Sequence, residues 1–184
     1  MSALIEEIFA YNREFVSKGA CARYDTSKQP DKKLAVVSCM DTRLVELLPA
    51  ALGLKNGDAM LIKNAGGIIT HPFGSAMRSL LVAVYQLGVE EIAVIGHYDC
   101  GLQGLKAKEI IEKMLERGVK HKEIKLLNYC GFDLESWLKG FDNAREAVLA
   151  SMDIILSHPL MPEGIQVHGF LMDPHTGRLD SVDA

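Results

Sequence analysis

Two short clusters in this 184-residue chain hold the side chains best suited to chemistry. The first is Cys39-Met40-Asp41-Thr42-Arg43 and the second is His97-Tyr98-Asp99-Cys100-Gly101. A His-x-x-Cys spacing lets two ligands leave one tight turn toward the same ion, and Cys39 could supply a third. Two thiolates and one imidazole suit zinc, with a fourth tetrahedral position left for water or for the Asp41 carboxylate. A site that keeps water is catalytic in kind, whereas a closed four-ligand site is structural. The competing reading is simple burial. Cysteine is among the most buried residue types, and one that ends a core strand can serve as a small hydrophobe. Spacing alone leaves both readings open. The Asp41–Arg43 pair favours a site, because an unpaired carboxylate buried there would be costly. A redox dithiol is the weakest alternative, since no Cys-x-x-Cys occurs.

Both clusters follow segments that read as buried parallel strands. Leu34–Cys39 and Ile92–His97 are short apolar runs rich in valine or isoleucine, and Met60–Lys63 is a third such run. Between them, Phe73, Met77, Leu80, Leu81, Val84 and Leu87 recur at helical spacing, so Phe73–Leu87 should be an amphipathic helix ending at Gly88. Leu44–Leu52 is a shorter helix that Pro49 should break or kink. Alternating strands and helices of this kind build a parallel α/β sheet. Ligands in such sheets bind beyond the carboxyl ends of the strands, where Cys39 and His97 would lie. Ala107–Arg117 and Phe141–Ser157 read as further helices. Ile165–Met172 reads as a strand, followed by the turn Asp173–Gly177 and a short returning arm at Arg178–Val182. Ala3–Ser17 is a helix with Leu4, Ile8, Tyr11 and Phe15 on one stripe. No repeat or linker divides the chain, so residues 1–184 are expected to form one domain.

Composition narrows the classes of function. Hydrophobic residues make up 48% and charged residues 24%, the balance of a globular domain and not of a disordered or low-complexity chain. A net charge of −4 argues against nucleic acid, whose phosphates need a concentrated positive face. The lysines of Lys106–Lys125 alternate with Glu109, Glu112, Glu116 and Glu123, which suits a solvated helix surface. No apolar stretch approaches the roughly 20 residues that span a bilayer, and the start of the chain is unlike a signal peptide. A cytoplasmic protein without membrane partners is expected. Its four cysteines then do not form a disulfide framework, and Cys21 and Cys130 should be free thiols.

Other candidates suit bland roles. His71, His121, His158, His168 and His175 have no partner at ligand spacing and read as surface or structural histidines. Asp99 suits the cap of a helical turn over Gly101–Leu105. Ala65-Gly66-Gly67 lacks the phosphate-loop pattern, so Gly66 and Gly67 are assigned to a close backbone approach on the substrate-binding side of the site.

The paired motifs CMDTR and HYDCG resemble the Cys-x-Asp-x-Arg and His-x-x-Cys pair of the β-class carbonic anhydrases. LVELLPAALGL, KNAGG, VIGHYDCG and the final VHGFLMDPHTGRL are similar to the compact microbial branch of that family, and Lys106–Gly140 matches it less clearly. The resemblance implies zinc held by Cys39, His97 and Cys100, with Asp41 and Arg43 as a catalytic dyad beside an open position. It implies reversible hydration of carbon dioxide to bicarbonate and a proton, through hydroxide formed on the zinc. The implied fold has four parallel strands and an added C-terminal strand flanked by helices. A homodimer or larger homo-oligomer is also implied, with the 3–17 helix packing on the partner. Where the family commonly has Arg-Asn-x-Gly-Asn, this chain has Lys63-Asn64-Ala65-Gly66-Gly67. Gln29 is the nearest candidate for the family's pocket glutamine.

Charge arithmetic shapes the expected activity. Two thiolates cancel the zinc charge, whereas three neutral histidines leave +2 and a bound-water pKa of about 7. The neutral core should depress that pKa less, so the rate is expected to rise from neutral to alkaline pH. Two rivals remain. One is hydrolysis of carbonyl sulfide or carbon disulfide on the same site, and the other is a non-catalytic zinc protein acting as sensor or scaffold.

Overall fold

Val36, Val37, Ile92, Val94 and Ile95 are β-branched residues in runs too short for a helix, and they are stable as strands only where both faces are covered. The structure, a computed structural model, describes residues 1–182. Four parallel strands, β1 (Leu34–Cys39), β2 (Ala59–Asn64), β3 (Glu91–His97) and β4 (Gln166–Met172), join an antiparallel β5 (Leu179–Ser181) in one sheet. The spatial order is β2-β1-β3-β4-β5. The helices are α1 (Ala3–Ser17), α2 (Leu44–Ala51), α3 (Ser75–Leu87), α4 (Ala107–Glu116), α5 (His121–Tyr129), α6 (Leu134–Leu138) and α7 (Ala144–Leu156). This is the mostly parallel α/β architecture that the strand and helix periods predict.

Side chains alternate across the sheet. Ala35, Val37, Ile92 and Val94 pack with Met77 and Leu80 of α3 and with Val148 and Ile155 of α7. Val36, Ala93 and Ile95 face the other way, onto Leu44 and Leu48 of α2. An eight-residue helix is not stable alone. Fully burying these two leucines, at about 1.5–3 kcal/mol each, anchors it on the sheet. Helix α2 runs through Pro49 and ends two residues later at Ala51, so the missing N–H removes only one intrahelical bond. The chain leaves β1 toward β2 on one side and leaves β3 toward β4 on the other. The crevice between the carboxyl ends of β1 and β3 is therefore the switch point of the sheet.

Several boundaries differ from the sequence reading. Helix α3 begins at Ser75, because Gly74 is extended (φ −80°, ψ 171°) and Phe73 lies outside the helix, edge-on to the His158 ring at 5.2 Å. Helix α7 begins at Ala144, where the Asn143 side chain accepts the Glu146 N–H at 3.1 Å and caps it. The stretch 106–125 is not one helical surface. It breaks at Gly118 (φ +98°) between α4 and α5. Residues 101–105 form turns, not the helical turn that Asp99 was expected to cap. The stripe on α1 is left uncovered by its own chain: none of its residues is buried, and Leu4, Ile8 and Tyr11 are 64%, 53% and 69% exposed. No helix among the described residues is long and apolar enough to cross a membrane.

Candidate metal centre

Cys39 is the last residue of β1 and His97 the last of β3, with Cys100 on the turn that follows β3. All three are buried, and their ligand atoms lie within 4.8 Å of one another. The two Sγ atoms are 3.9 Å apart. Two sulfurs at 2.3 Å from a tetrahedral zinc stand about 3.8 Å apart, so the separation fits that ion. His97 is fixed for ligation. Its Nδ1 is 2.8 Å from the Tyr98 carbonyl, which can only accept, so in the neutral ring the proton sits there and Nε2 carries the lone pair. That Nε2 is buried without a hydrogen-bond partner. A buried polar atom left so is costly unless something coordinates it. The donor set therefore fits a soft divalent metal.

Electrostatics among these side chains follow from the crowding of the sulfurs. The Cys39 thiol is lowered to about 4, chiefly because the Cys100 thiol hydrogen-bonds to it, against the opposing effect of burial. His97 and the backbone N–H groups of Asp41 and Gly66 add to the stabilisation of that thiolate. Cys100 is pushed up by the same pairing and by burial, with the Leu102 N–H opposing. The pairing favours the thiolate at one sulfur and disfavours it at the other, and ligation by both requires both thiols to lose their protons. Burial pushes His97 down, but the Cys39 thiolate and the Tyr98 carbonyl outweigh it and the net shift is upward. The Cys39 sulfur acts on the imidazole through its charge, although Nε2 makes no hydrogen bond of good geometry.

Asp41 and Arg43 lie on the turn after β1. Arg43 grips Asp41 through three bonds: Nε to Oδ1 at 3.0 Å, a terminal nitrogen to Oδ2 at 2.8 Å, and the backbone N–H to Oδ1 at 2.9 Å. This fork holds the Asp41 carboxyl at about 2, far below an ordinary aspartate. Its Oδ2 is 3.9 Å from His97 Nε2. A pocket of about 500 Å³ opens on Cys39, Asp41, Arg43, Gly66, Asp99 and Cys100.

The two glycines part company. Gly66 lines the pocket, whereas Gly67 stands behind Cys39, where an added Cβ would lie 2.5 Å from the Cys39 nitrogen. Lys63, in place of the family's arginine, is half-buried with Nζ 3.5 Å from the Leu44 carbonyl, and burial lowers its pKa. Gln29 is exposed in the loop before β1, whose Asp31 and Lys32 bond to Gly57 and Asp58 at the amino end of β2. It precedes the amino end of β1, whereas this chain's own pocket lies at the carboxyl end. His158 is structural: its Nε2 bonds the Pro72 carbonyl at 2.8 Å and its Nδ1 accepts the Leu160 N–H at 3.1 Å. Asp99 caps no helix. It accepts from Arg43 instead, and an aspartate between the histidine and cysteine of one motif, opposite an arginine in the other, was the available signal.

Comparison with known proteins agrees with this geometry. The carbonic anhydrase family model matches residues 34–179. "Putative carbonic anhydrase YtiB" of Bacillus subtilis (strain 168) is 49% identical over 180 residues, covering 98% of this chain and 96% of its own length. The crystal structure of β-carbonic anhydrase isoform I (TvaCA1) from Trichomonas vaginalis superposes with a TM-score of 0.89 at 34% identity, over 99% of this chain and 98% of that one. A carbon disulfide hydrolase of Acidithiobacillus thiooxidans is 29% identical over 157 residues, 81% of this chain and 76% of its own. The chain belongs to the carbonic anhydrase family, in its β class.

Proposed function

We propose that this chain is a zinc enzyme that interconverts carbon dioxide and bicarbonate with release or uptake of a proton. One observation carries the reading: a buried Cys39–His97–Cys100 trio, with the His97 Nε2 lone pair unpartnered, beside a carboxylate that Arg43 keeps ionised. Cys39, His97 and Cys100 would hold the ion. When bound, zinc supplies Lewis acidity that lowers the pKa of water and makes a nucleophile available near neutral pH. The residues do the rest. Asp41, ionised at all working pH values, accepts a hydrogen bond from the reacting water and so turns the water's lone pair toward carbon dioxide. Arg43 holds that carboxylate in place, and the N–H groups of Asp41, Gly66 and Leu102 take up part of the charge on the two sulfurs. Gly66 is the substrate-side backbone, with Gly67 supporting it. Two thiolates neutralise the ion, so the rate should rise from neutral to alkaline pH.

The uncovered stripe of α1 supports packing on a second copy, giving a homodimer or larger homo-oligomer of one domain per chain. In that arrangement any part Gln29 plays would be at the partner's site. Four free cysteines, two of them exposed, suit the reducing cytoplasm. A second reading, hydrolysis of carbon disulfide at the same residues, is favoured by the likeness to the Acidithiobacillus protein.

The test combines zinc stoichiometry with stopped-flow assays of carbon dioxide hydration, and parallel assays with carbon disulfide. One zinc per chain with rapid hydration is expected, and Cys100→Ser should lose both. Fully zinc-loaded protein that turns over carbon disulfide alone selects the second reading. Loaded protein that turns over neither substrate refutes both.

A further inference from the structure

The β1–β3 crevice that holds the donor trio is weakly closed by the sheet itself. The β1–β3 ladder ends at Ser38 opposite Ile95, before the metal-site residues begin. Beyond it, each turn is tied outward. The Met40 N–H bonds the Asn64 carbonyl of β2 at 2.8 Å, and the Tyr98 N–H bonds the Met172 carbonyl of β4 at 3.0 Å. Cys39 thus belongs to one half of the sheet end, and His97 and Cys100 to the other. A donor set divided in this way can splay apart unless something ties its halves together.

Arg43 reaches across. A terminal guanidinium nitrogen donates to Asp99 Oδ2 at 2.8 Å, and the other donates to the Asp99 carbonyl oxygen at 2.9 Å as well as to Asp41. Four of the five guanidinium N–H groups are thereby used, two on each side of the crevice. Asp99 adopts φ +52° to present both oxygens, a left-handed conformation that an L-residue other than asparagine or aspartate seldom takes. Among the described residues only Lys33 shares this feature without being glycine. Other links across the crevice include the contact between the two sulfurs, the Cys39–His97 interaction and the 3.9 Å approach of Asp41 to His97.

We propose that Asp99 is a positioning residue, which through Arg43 ties the Cys39 turn to the His97–Cys100 turn and so presets the donor trio for its ion. The proposal rests on the metal-site reading above. Ligand-orienting partners of this kind typically change metal affinity by 10–100-fold when removed.

The test is zinc affinity, measured by competition with a chromophoric chelator, together with urea unfolding of the metal-free proteins. Asp99→Gly and Asp99→Ala should both bind zinc about tenfold more weakly than wild type. Their stabilities should diverge, the alanine variant unfolding earlier than the glycine variant because only alanine is strained at this φ. Asp99→Asn keeps an acceptor oxygen and tolerates the same φ, so its affinity should stay closer to wild type than that of the alanine variant. The proposal is overturned if the glycine variant binds zinc as tightly as wild type, or if asparagine does no better than alanine. Wild-type protein that binds no zinc would instead remove the metal-site reading itself.

Discussion

Gly67→Ala separates steric support of the metal centre from ordinary backbone strain. Gly67 has φ +65°, and a Cβ built there lies 2.5 Å from the Cys39 nitrogen and 2.7 Å from the Ser38 carbonyl carbon. Favourable contact needs about 3.5–4 Å, so one backbone must move by about 1 Å. Ser38 lies in β1 between β2 and β3, in register with Lys63 on one side and Ile95 on the other. Overpacking against so fixed a neighbour costs about 1–3 kcal/mol, in addition to about 1–2 kcal/mol for alanine at positive φ. Gly53 supplies the control. Its φ is +64°, and nothing lies within 4 Å of its added Cβ, so Gly53→Ala carries the φ cost alone. The difference between the two variants should be about 2 kcal/mol, roughly thirtyfold in the unfolding equilibrium. The assay is urea unfolding of the metal-free proteins at matched protein concentration, since association shifts apparent stability. Zinc affinity is the second measurement. A Cys39 displaced by several tenths of an ångström exceeds the tolerance of about 0.2 Å for a metal ligand, so Gly67→Ala should bind zinc at least about tenfold more weakly and Gly53→Ala should not. Equal unfolding midpoints and equal zinc affinities for the two variants would refute the reasoning.

Two further outcomes follow from the site's electrostatics. The Asp41 carboxyl is about 2 in the folded chain against about 3.8 unfolded, so its pairing stabilises the fold above pH 4 and the contribution fades as pH falls toward 2. The lowering corresponds to about 2 kcal/mol at most, and Asp41→Asn should lose the difference from wild type in metal-free urea unfolding only below pH 4. The same variant should keep its zinc yet hydrate carbon dioxide at least about a hundredfold more slowly, because the amide no longer offers an ionised acceptor to orient the reacting water. Zinc removal should lower the melting temperature reversibly, since an ion held at 100 times its dissociation constant stabilises by about 2.7 kcal/mol. Scanning calorimetry with and without a chelator checks this, and an unchanged transition would mean that the trio does not couple metal to folding.

Much of the machinery was readable from the chain alone, because it depends on residue type and short-range order. Thiols and an imidazole have ligand chemistry wherever they stand, and β-branched runs and 3.6-residue periods declare strands and helices locally. Hence β1, β3, α1 and the Asp41–Arg43 pair, two residues apart, were all expected where they lie. Tertiary structure decided what depends on distant parts meeting. The order β2-β1-β3-β4 sets Cys39 beside His97, although 57 residues intervene between positions 39 and 97. The tautomer of His97 is set by a carbonyl on its own turn, and its free Nε2 by burial beneath neighbouring elements. Asp99 could not be placed by pattern, since its role is defined by an arginine 56 positions away and by a backbone angle that composition does not specify. Gly67 was expected to approach the site closely, but that it backs the Cys39 amide emerges only once β1 and the turn after β2 are packed together. Local sequence specifies the groups and their elements; the hydrogen-bonded register of non-adjacent strands specifies the distances between them.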